Sequence, residues 1–397
     1  ATAIELRDSV SRLPFAGLWA RDADTMSRAK FLIVPLLAAP ALFACSDPAP
    51  VKLPPPDETA RATVAENPRA NRDQLVRAAD ALFTDPQNAE TRALVVLHDG
   101  QPVVERYGPG YDRNTRFVSW SMAKTITAVM IGQLVADGRL KLDESAPIPA
   151  WQRPGDPRGE ITLRDLLQMR SGLRHTEAGN PPYASDEVRM LFLDGRDDMS
   201  AYAEAQPLEA NPGRKWEYSS ATTVILADIA ARALTPSSNP VVRMNAVRDY
   251  LRTRLFEPIG MKGMVPEFDA AGTLIGGSLM HGTALDFAKF GEFLRNRGAV
   301  NGVQLVPPAW IDFMTSPSPR NPGYGGQLWL NRKQPDGTVQ WPGAPGNTFS
   351  MNGHLGQYVV VSRNNGVVVV RLGKTQDDAH VPLRTALAKI ITLFPRE

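Results

Sequence analysis

The sequence predicts an α/β (α+β) fold, in which an antiparallel sheet built from both ends of the chain is flanked by helices and a mainly helical domain is inserted between its halves. Three observations carry this. A β-rich pair of runs surrounds Asp99-Gly100, a second pair surrounds Asn364-Asn365-Gly366, and the intervening region reads as helical. Asp-Gly and Asn-Gly between apolar runs favour tight hairpin turns.

In chain order, Met26-Ser-Arg-Ala-Lys30 gives a short basic start to a 14-residue apolar run, Phe31 to Ala44, ending at Cys45. A membrane-spanning helix needs about 20 apolar residues, whereas a secretory signal uses about 7–15. Residues 1–25 are then an upstream extension, 26–45 a lipoprotein signal with Cys45 as the lipidated residue, and 46–72 a Pro-rich tether. The expected location is the bacterial cell envelope, facing the periplasm, with membrane contact through the lipid alone. A short buried helix with an incidental thiol is the alternative.

Folded structure is expected from about Asp73, where residues 73–83 have helical apolar spacing. Residues 73–120 and 270–397 form the sheet domain, and 121–269 the helical one. Helices are expected at 121–136, 161–170, 186–205, 221–234, 240–256 and 381–394. The strands are Arg92–His98, Gln101–Tyr107, Gln357–Arg363 and Val367–Leu372.

Composition excludes several functions. A formal net charge of +2, with no basic run, offers no surface for nucleic acid. The five histidines are scattered, with no His-Glu-x-x-His and a single cysteine, so no metal or other cofactor is expected. The expected partner is a small-molecule substrate.

Ser121-Met-Ala-Lys124 places a hydroxyl and an amine three residues apart, on one face if the segment is helical. A serine is a weak nucleophile until a base takes its proton, and a desolvated lysine can serve. The motif alone is weak: Ser27-Arg-Ala-Lys30 repeats it in the signal segment. Tyr218-Ser-Ser220 and His354-Leu-Gly356 have decoys too, in Tyr183-Ala-Ser185 and His98-Asp-Gly100. Order and spacing decide. Tyr218 follows Ser121 by 97 residues, and His354 follows Tyr218 by 136.

With these residues the sequence resembles the serine β-lactamase and penicillin-binding protein superfamily, in its class C branch with the family VIII carboxylesterases and 6-aminohexanoate-dimer hydrolases. The resemblance also rests on Ile161-Thr-Leu-Arg-Asp-Leu-Leu, Gly276-Gly-Ser-Leu, Thr283-Ala-Leu-Asp-Phe and Tyr324-Gly-Gly-Gln-Leu-Trp329. It implies a β-lactamase-like fold with the site between the two domains. Ser121 is the acylated nucleophile, Lys124 the base and Tyr218 the proton relay. On the same resemblance the backbone N–H groups of Ser121 and Gln357 are expected to form the oxyanion hole. Ser220, His354 and Gly356, with Tyr183 and Asp186 from the loop 177–197, are expected to contact substrate. His175 and His281 are read as structural.

Many class C enzymes carry Tyr-x-Asn and Lys-Thr-Gly where this chain has Tyr218-Ser-Ser220 and His354-Leu-Gly356. The departures favour a linear amide or carboxylic ester over a β-lactam. A β-lactamase or D-alanyl-D-alanine carboxypeptidase is the alternative of the same mechanism. A catalytically silent lipoprotein binding module is the alternative of another class.

Overall fold

The computed structural model describes residues 55–376 and 379–396. The signal segment, Cys45 and tether residues 46–54 lie outside the described residues, whereas residues 55–72 are not the expected tether: a short helix, Glu58–Ala62, buries Ala60, and Val64 pairs with Val104 against the sheet, because these apolar side chains cover its edge.

Six strands form one antiparallel sheet: β1 (Glu90–His98), β2 (Gln101–Tyr107), β3 (Trp329–Leu330), β4 (Phe349–Gly353), β5 (Gln357–Ser362) and β6 (Val367–Lys374). Their order is β2-β1-β6-β5-β4-β3, so strands from the two ends of the chain meet at the β1–β6 pair. Val95 lies opposite Val370, which in turn lies opposite Val359. Asp99 (φ 49°) and Gly100 (φ 76°) both take the left-handed turn conformation that joins β1 to β2 without splaying them.

Helices cover both faces of this sheet. Leu94, Val96, Val360 and Val369 face Leu75 and Leu82 of α1 (Arg72–Thr84) and Leu387 and Ile391 of the C-terminal helix His380–Thr392. Val95, Val359, Val361 and Val368 face the helix Ala284–Arg295. Burial of both faces explains why β5 and β6 read as unbroken valine runs and not as alternating strands. Gly291 makes the close approach possible, because a Cβ there would lie 2.5 Å from a methyl of Val368 and 2.8 Å from one of Val359.

The same apolar cluster continues into α2 (Ala123–Ala136) and α4 (Ser220–Leu234). Twelve of the fourteen residues of α2 are buried, so this helix is enclosed on every side. The expected helix 186–205 is two pieces, α3 (Asp186–Phe192) and Met199–Glu204, because the chain leaves helical geometry at Leu193 (φ −121°, ψ −122°). The expected helix 161–170 shortens to Leu163–Leu167, closed by a Thr162–Asp165 capping box.

Candidate active site

Ser121 sits in the single 3₁₀ turn Trp120–Met122 that leads into α2. Trp120 has a φ of 45°, an uncommon conformation for a side chain of its size and one typical of sites where geometry is over-determined. Its neighbour holds it there: the Ser119 amide donates to the Met280 carbonyl at 2.7 Å, and its hydroxyl accepts from the Met280 amide at 3.1 Å.

One turn into the helix, Lys124 is 1% exposed. Its Nζ lies 3.0 Å from Ser121 Oγ, 2.7 Å from Ser220 Oγ and 2.8 Å from the Gly277 carbonyl. Burial pushes the amine below its ordinary pKa, against the opposing charges of Glu177 and Glu187. The nearest carboxylate oxygen, Glu177 Oε1, stands 3.9 Å away.

Tyr218 faces the pair from the segment before α4, with Lys124 Nζ 4.8 Å from its ring centroid. Burial raises its phenol well above 10, and its hydrogen bond with Ser121 opposes that rise. Its ring packs 5.4 Å from that of Trp329 and 5.8 Å from that of Tyr324. This aromatic wall draws on segments more than a hundred residues apart, so no local pattern announces it.

These groups open on a cavity of about 850 Å³. Trp120, Tyr218, Trp329, Asn352, Gly353 and His354 wall one side, and the loop and helix from Glu177 to Phe192 wall the other. His354 meets Trp120 edge to face at 5.2 Å.

Four of the expected substrate or oxyanion positions stand elsewhere. Leu355 (φ 59°) and Gly356 (φ 79°) reverse the chain after His354, so Gly356 and Gln357 fall outside the cavity lining, although Tyr358 of β5 returns to it. The edge presented to Ser121 is therefore the end of β4, where a Cβ on Gly353 would fall 2.5 Å from the Ser119 carbonyl. Gln357, the expected oxyanion donor, does not line the cavity. Its side chain exchanges hydrogen bonds with Gly373, donating at 2.7 Å and accepting at 3.0 Å. Gly356 is backed by buried Arg371, which donates to its carbonyl at 2.9 Å.

Tyr183 is 64% exposed and does not line the cavity. Asp186 faces its own loop, accepting from the Thr176 amide and hydroxyl (both 2.8 Å) and from the Tyr202 hydroxyl at 2.7 Å. This clasp brings the next residue on each side, Glu177 and Glu187, together at the cavity.

Both carboxylates converge on Ser220. Glu177 accepts from its amide at 2.6 Å and its hydroxyl at 2.7 Å, and Glu187 Oε1 lies 3.1 Å from the same hydroxyl. Burial, then the charge of Glu177, raises Glu187 to about 7. A ten-residue spacing gives no hint of this meeting, which depends on the clasp.

His175 is buried between Thr222 and the Ala203 carbonyl, and His281 pairs with Glu267. Trp341 is fully buried and donates to Ser350 at 2.9 Å.

Residues 73–392 match the family described as Beta-lactamase. Among characterised relatives, esterase EstB of Burkholderia gladioli is 26% identical over 307 residues, covering 63% of this chain and 78% of that protein. The 6-aminohexanoate-dimer hydrolase of Paenarthrobacter ureafaciens is 22% identical over 248 residues, covering 59% and 61%. Protein Rv1367c of Mycobacterium tuberculosis is 26% identical over 267 residues, covering 57% of this chain. The chain spans 66% of Rv1367c, just under two thirds of its length. A Bacillus anthracis structure provisionally described as a 6-aminohexanoate-dimer hydrolase superposes with a TM-score of 0.62 at 21% identity, covering 78% of this chain and 82% of that one. A family VIII carboxylesterase superposes with a TM-score of 0.58 at 16% identity, covering 79% and 95%.

Proposed function

Because the chain belongs to the β-lactamase family, we propose that it is a serine hydrolase opening linear amide or carboxylic ester bonds through an acyl-enzyme on Ser121. The observation that carries this reading is the 3.0 Å contact between Ser121 Oγ and a lysine amine that burial keeps below its ordinary pKa.

Lys124 takes the Ser121 proton as Oγ attacks the substrate carbonyl carbon. The oxygen charge that develops falls to backbone N–H groups at Ser121 and at the Gly353–His354 edge, in place of Gln357. Such donors commonly lower the barrier by about 3–4 kcal/mol each. Tyr218, kept protonated by burial, gives its proton to the leaving alkoxide or amine and is resupplied by the Lys124 ammonium. In deacylation a water attacks the acyl carbon, its proton passes through Tyr218 to Lys124, and the Ser121 oxygen leaves and is reprotonated.

Relatives named as an esterase and as an aminohexanoate-dimer hydrolase support the linear amide or ester class. His354 at the cavity edge, where lysine would supply a fixed charge, supports it too. One observation favours the second reading, a β-lactamase or D-alanyl-D-alanine carboxypeptidase. Arg384 lines the cavity and has the charge to receive a substrate carboxylate. A panel of p-nitrophenyl esters, a linear aminohexanoyl amide and a chromogenic cephalosporin separates the two. Preferred cephalosporin turnover overturns the first reading, and full activity in Ser121→Ala overturns both.

We also propose a lipid anchor on Cys45 and a periplasm-facing location, supported by the order of basic flank, apolar run, Ala44 and Cys45. Cys45→Ser should release the protein from the membrane fraction; unchanged membrane association would sink the proposal.

A further inference from the structure

Ser220 Oγ has three partners and one hydrogen. It stands 2.7 Å from Lys124 Nζ, 2.7 Å from Glu177 Oε1 and 3.1 Å from Glu187 Oε1. Burial and the charge of Glu177 favour a proton on Glu187, which leaves Glu177, 2.7 Å away, to accept the Ser220 hydrogen. With the Ser220 hydrogen directed to a carboxylate, its oxygen accepts from Lys124. The Gly277 carbonyl, 2.8 Å from Nζ, can only accept as well. A neutral amine has two hydrogens and one lone pair. When both hydrogens are taken by Ser220 and Gly277, the lone pair faces the remaining neighbour, Ser121.

We propose that Glu177 and Glu187 are a positioning pair: together they hold the Ser220 hydroxyl turned away from Lys124 and thereby aim the amine's lone pair at Ser121. This rests on the serine-hydrolase reading and adds to it a device that sets when the base is competent. Without the pair, the Ser220 hydroxyl can donate to Lys124 and occupy that lone pair.

The groups facing Glu187 are Lys124 from α2, Glu177 from the loop, Tyr218 from the segment before α4, and Ser220 at the start of α4. Tyr324 faces Glu177. On α3 itself, Asp186 is turned to Thr176 and Tyr202, and Arg189 pairs with Asp194. The pKa of Glu187, raised to about 7, places its ionisation within the range where a hydrolase of this kind is assayed. Each carboxylate also raises the pKa of Lys124, so removing one lowers it.

The test is the pH dependence of kcat/KM for a p-nitrophenyl ester, on the full chain, with Ser121 labelling by a fluorophosphonate as a parallel measurement. The wild type should show an ionisation of Glu187 beside that of Lys124. In Glu187→Gln the first should vanish and the Lys124 limb should move to lower pH. Glu177→Gln cannot accept from both the amide and the hydroxyl of Ser220, and should lose about tenfold to a hundredfold in kcat/KM, as misaligned reacting groups do. In a Ser220→Ala background the same change should add no further loss, because its effect passes through that hydroxyl. An unaltered profile in Glu187→Gln, or an undiminished Glu177→Gln effect on Ser220→Ala, overturns the proposal. Thermal melts of each variant show whether a loss is one of folding. If the wild type labels but the profiles do not respond, only the positioning pair falls. If the wild type does not label, the serine-hydrolase reading falls with it.

Discussion

Replacing Lys124 with methionine separates catalysis from stability more sharply than any other change in this molecule. The side chains are similar in length and Lys124 is buried, so methionine fills the space without new polar demands. The substitution removes three hydrogen-bonding contacts, to Ser121, Ser220 and Gly277, each worth about 1 kcal/mol net. Against that roughly 3 kcal/mol stands the desolvation of an amine that is charged in the unfolded chain, a cost of similar order. Stability at pH 7 should therefore change by no more than about 2 kcal/mol, while kcat/KM falls by about 10²–10⁴, the contribution of a positioned base. The pH dependence has a definite sign. A lysine whose folded pKa lies below its ordinary 10.5 penalises folding most below the folded value and not at all above the unfolded one. The variant's stability relative to wild type should therefore be most favourable at neutral pH and decline toward pH 10. Ester hydrolysis and urea unfolding at two pH values measure both effects. Retained activity would refute Lys124 as the base. A collapse of stability together with activity would refute the argument that this amine is kept for chemistry at little net gain to the fold.

Tyr218→Phe keeps the ring contacts with Trp329 and Tyr324 but removes the hydroxyl, so kcat should fall at least about 10²-fold with the melting temperature unchanged. Tyr183→Ala should leave ester hydrolysis and melting temperature near wild type because its side chain is in solvent; Asp186→Ala, which opens the Thr176 clasp, should lower kcat/KM about tenfold by parting Glu177 from Glu187. Gly291→Ala drives a methyl into Val368 and Val359 and should cost about 1–3 kcal/mol by denaturant unfolding with kcat unaffected, since the contact is remote from the cavity.

Features of this molecule legible in the sequence are those encoded in single segments. Asp99-Gly100 and Asn365-Gly366 mark both hairpins, and the valine runs mark the strands that meet at the centre of the sheet. The spacing of Ser121 and Lys124 marks a hydroxyl and amine one helical turn apart, and the structure places them 3.0 Å apart. What was not legible is set by chain reversals and by contacts between segments. The positive φ at Leu355 and Gly356 moves the cavity edge from Gln357 to Gly353 and His354, and no pattern distinguishes a residue before such a turn from one after it. β4, only five residues long and interrupted by Asn352 and Gly353, lacks the run of branched residues that announced β5.

The loop 177–197 shows why this matters for chemistry. The sequence singles out Tyr183 and Asp186 of this loop for substrate, whereas the structure brings Glu177 and Glu187 to the cavity, and the difference is one of closure. Asp186 satisfies itself on Thr176 and Tyr202, and by doing so it turns Glu187 inward to oppose Glu177. Two carboxylates near a lysine would ordinarily fix it as an ammonium, which cannot take a proton from serine. Here Ser220 stands between them, with the nearest carboxylate oxygen 3.9 Å from Nζ, and burial weighs against the charged amine. The loop therefore brings acidic groups to the base in a loose ion pair at 3.9 Å, with Lys124 hydrogen-bonded to Ser220 and not to a carboxylate. Its closure, more than its composition, determines whether Lys124 can act on Ser121.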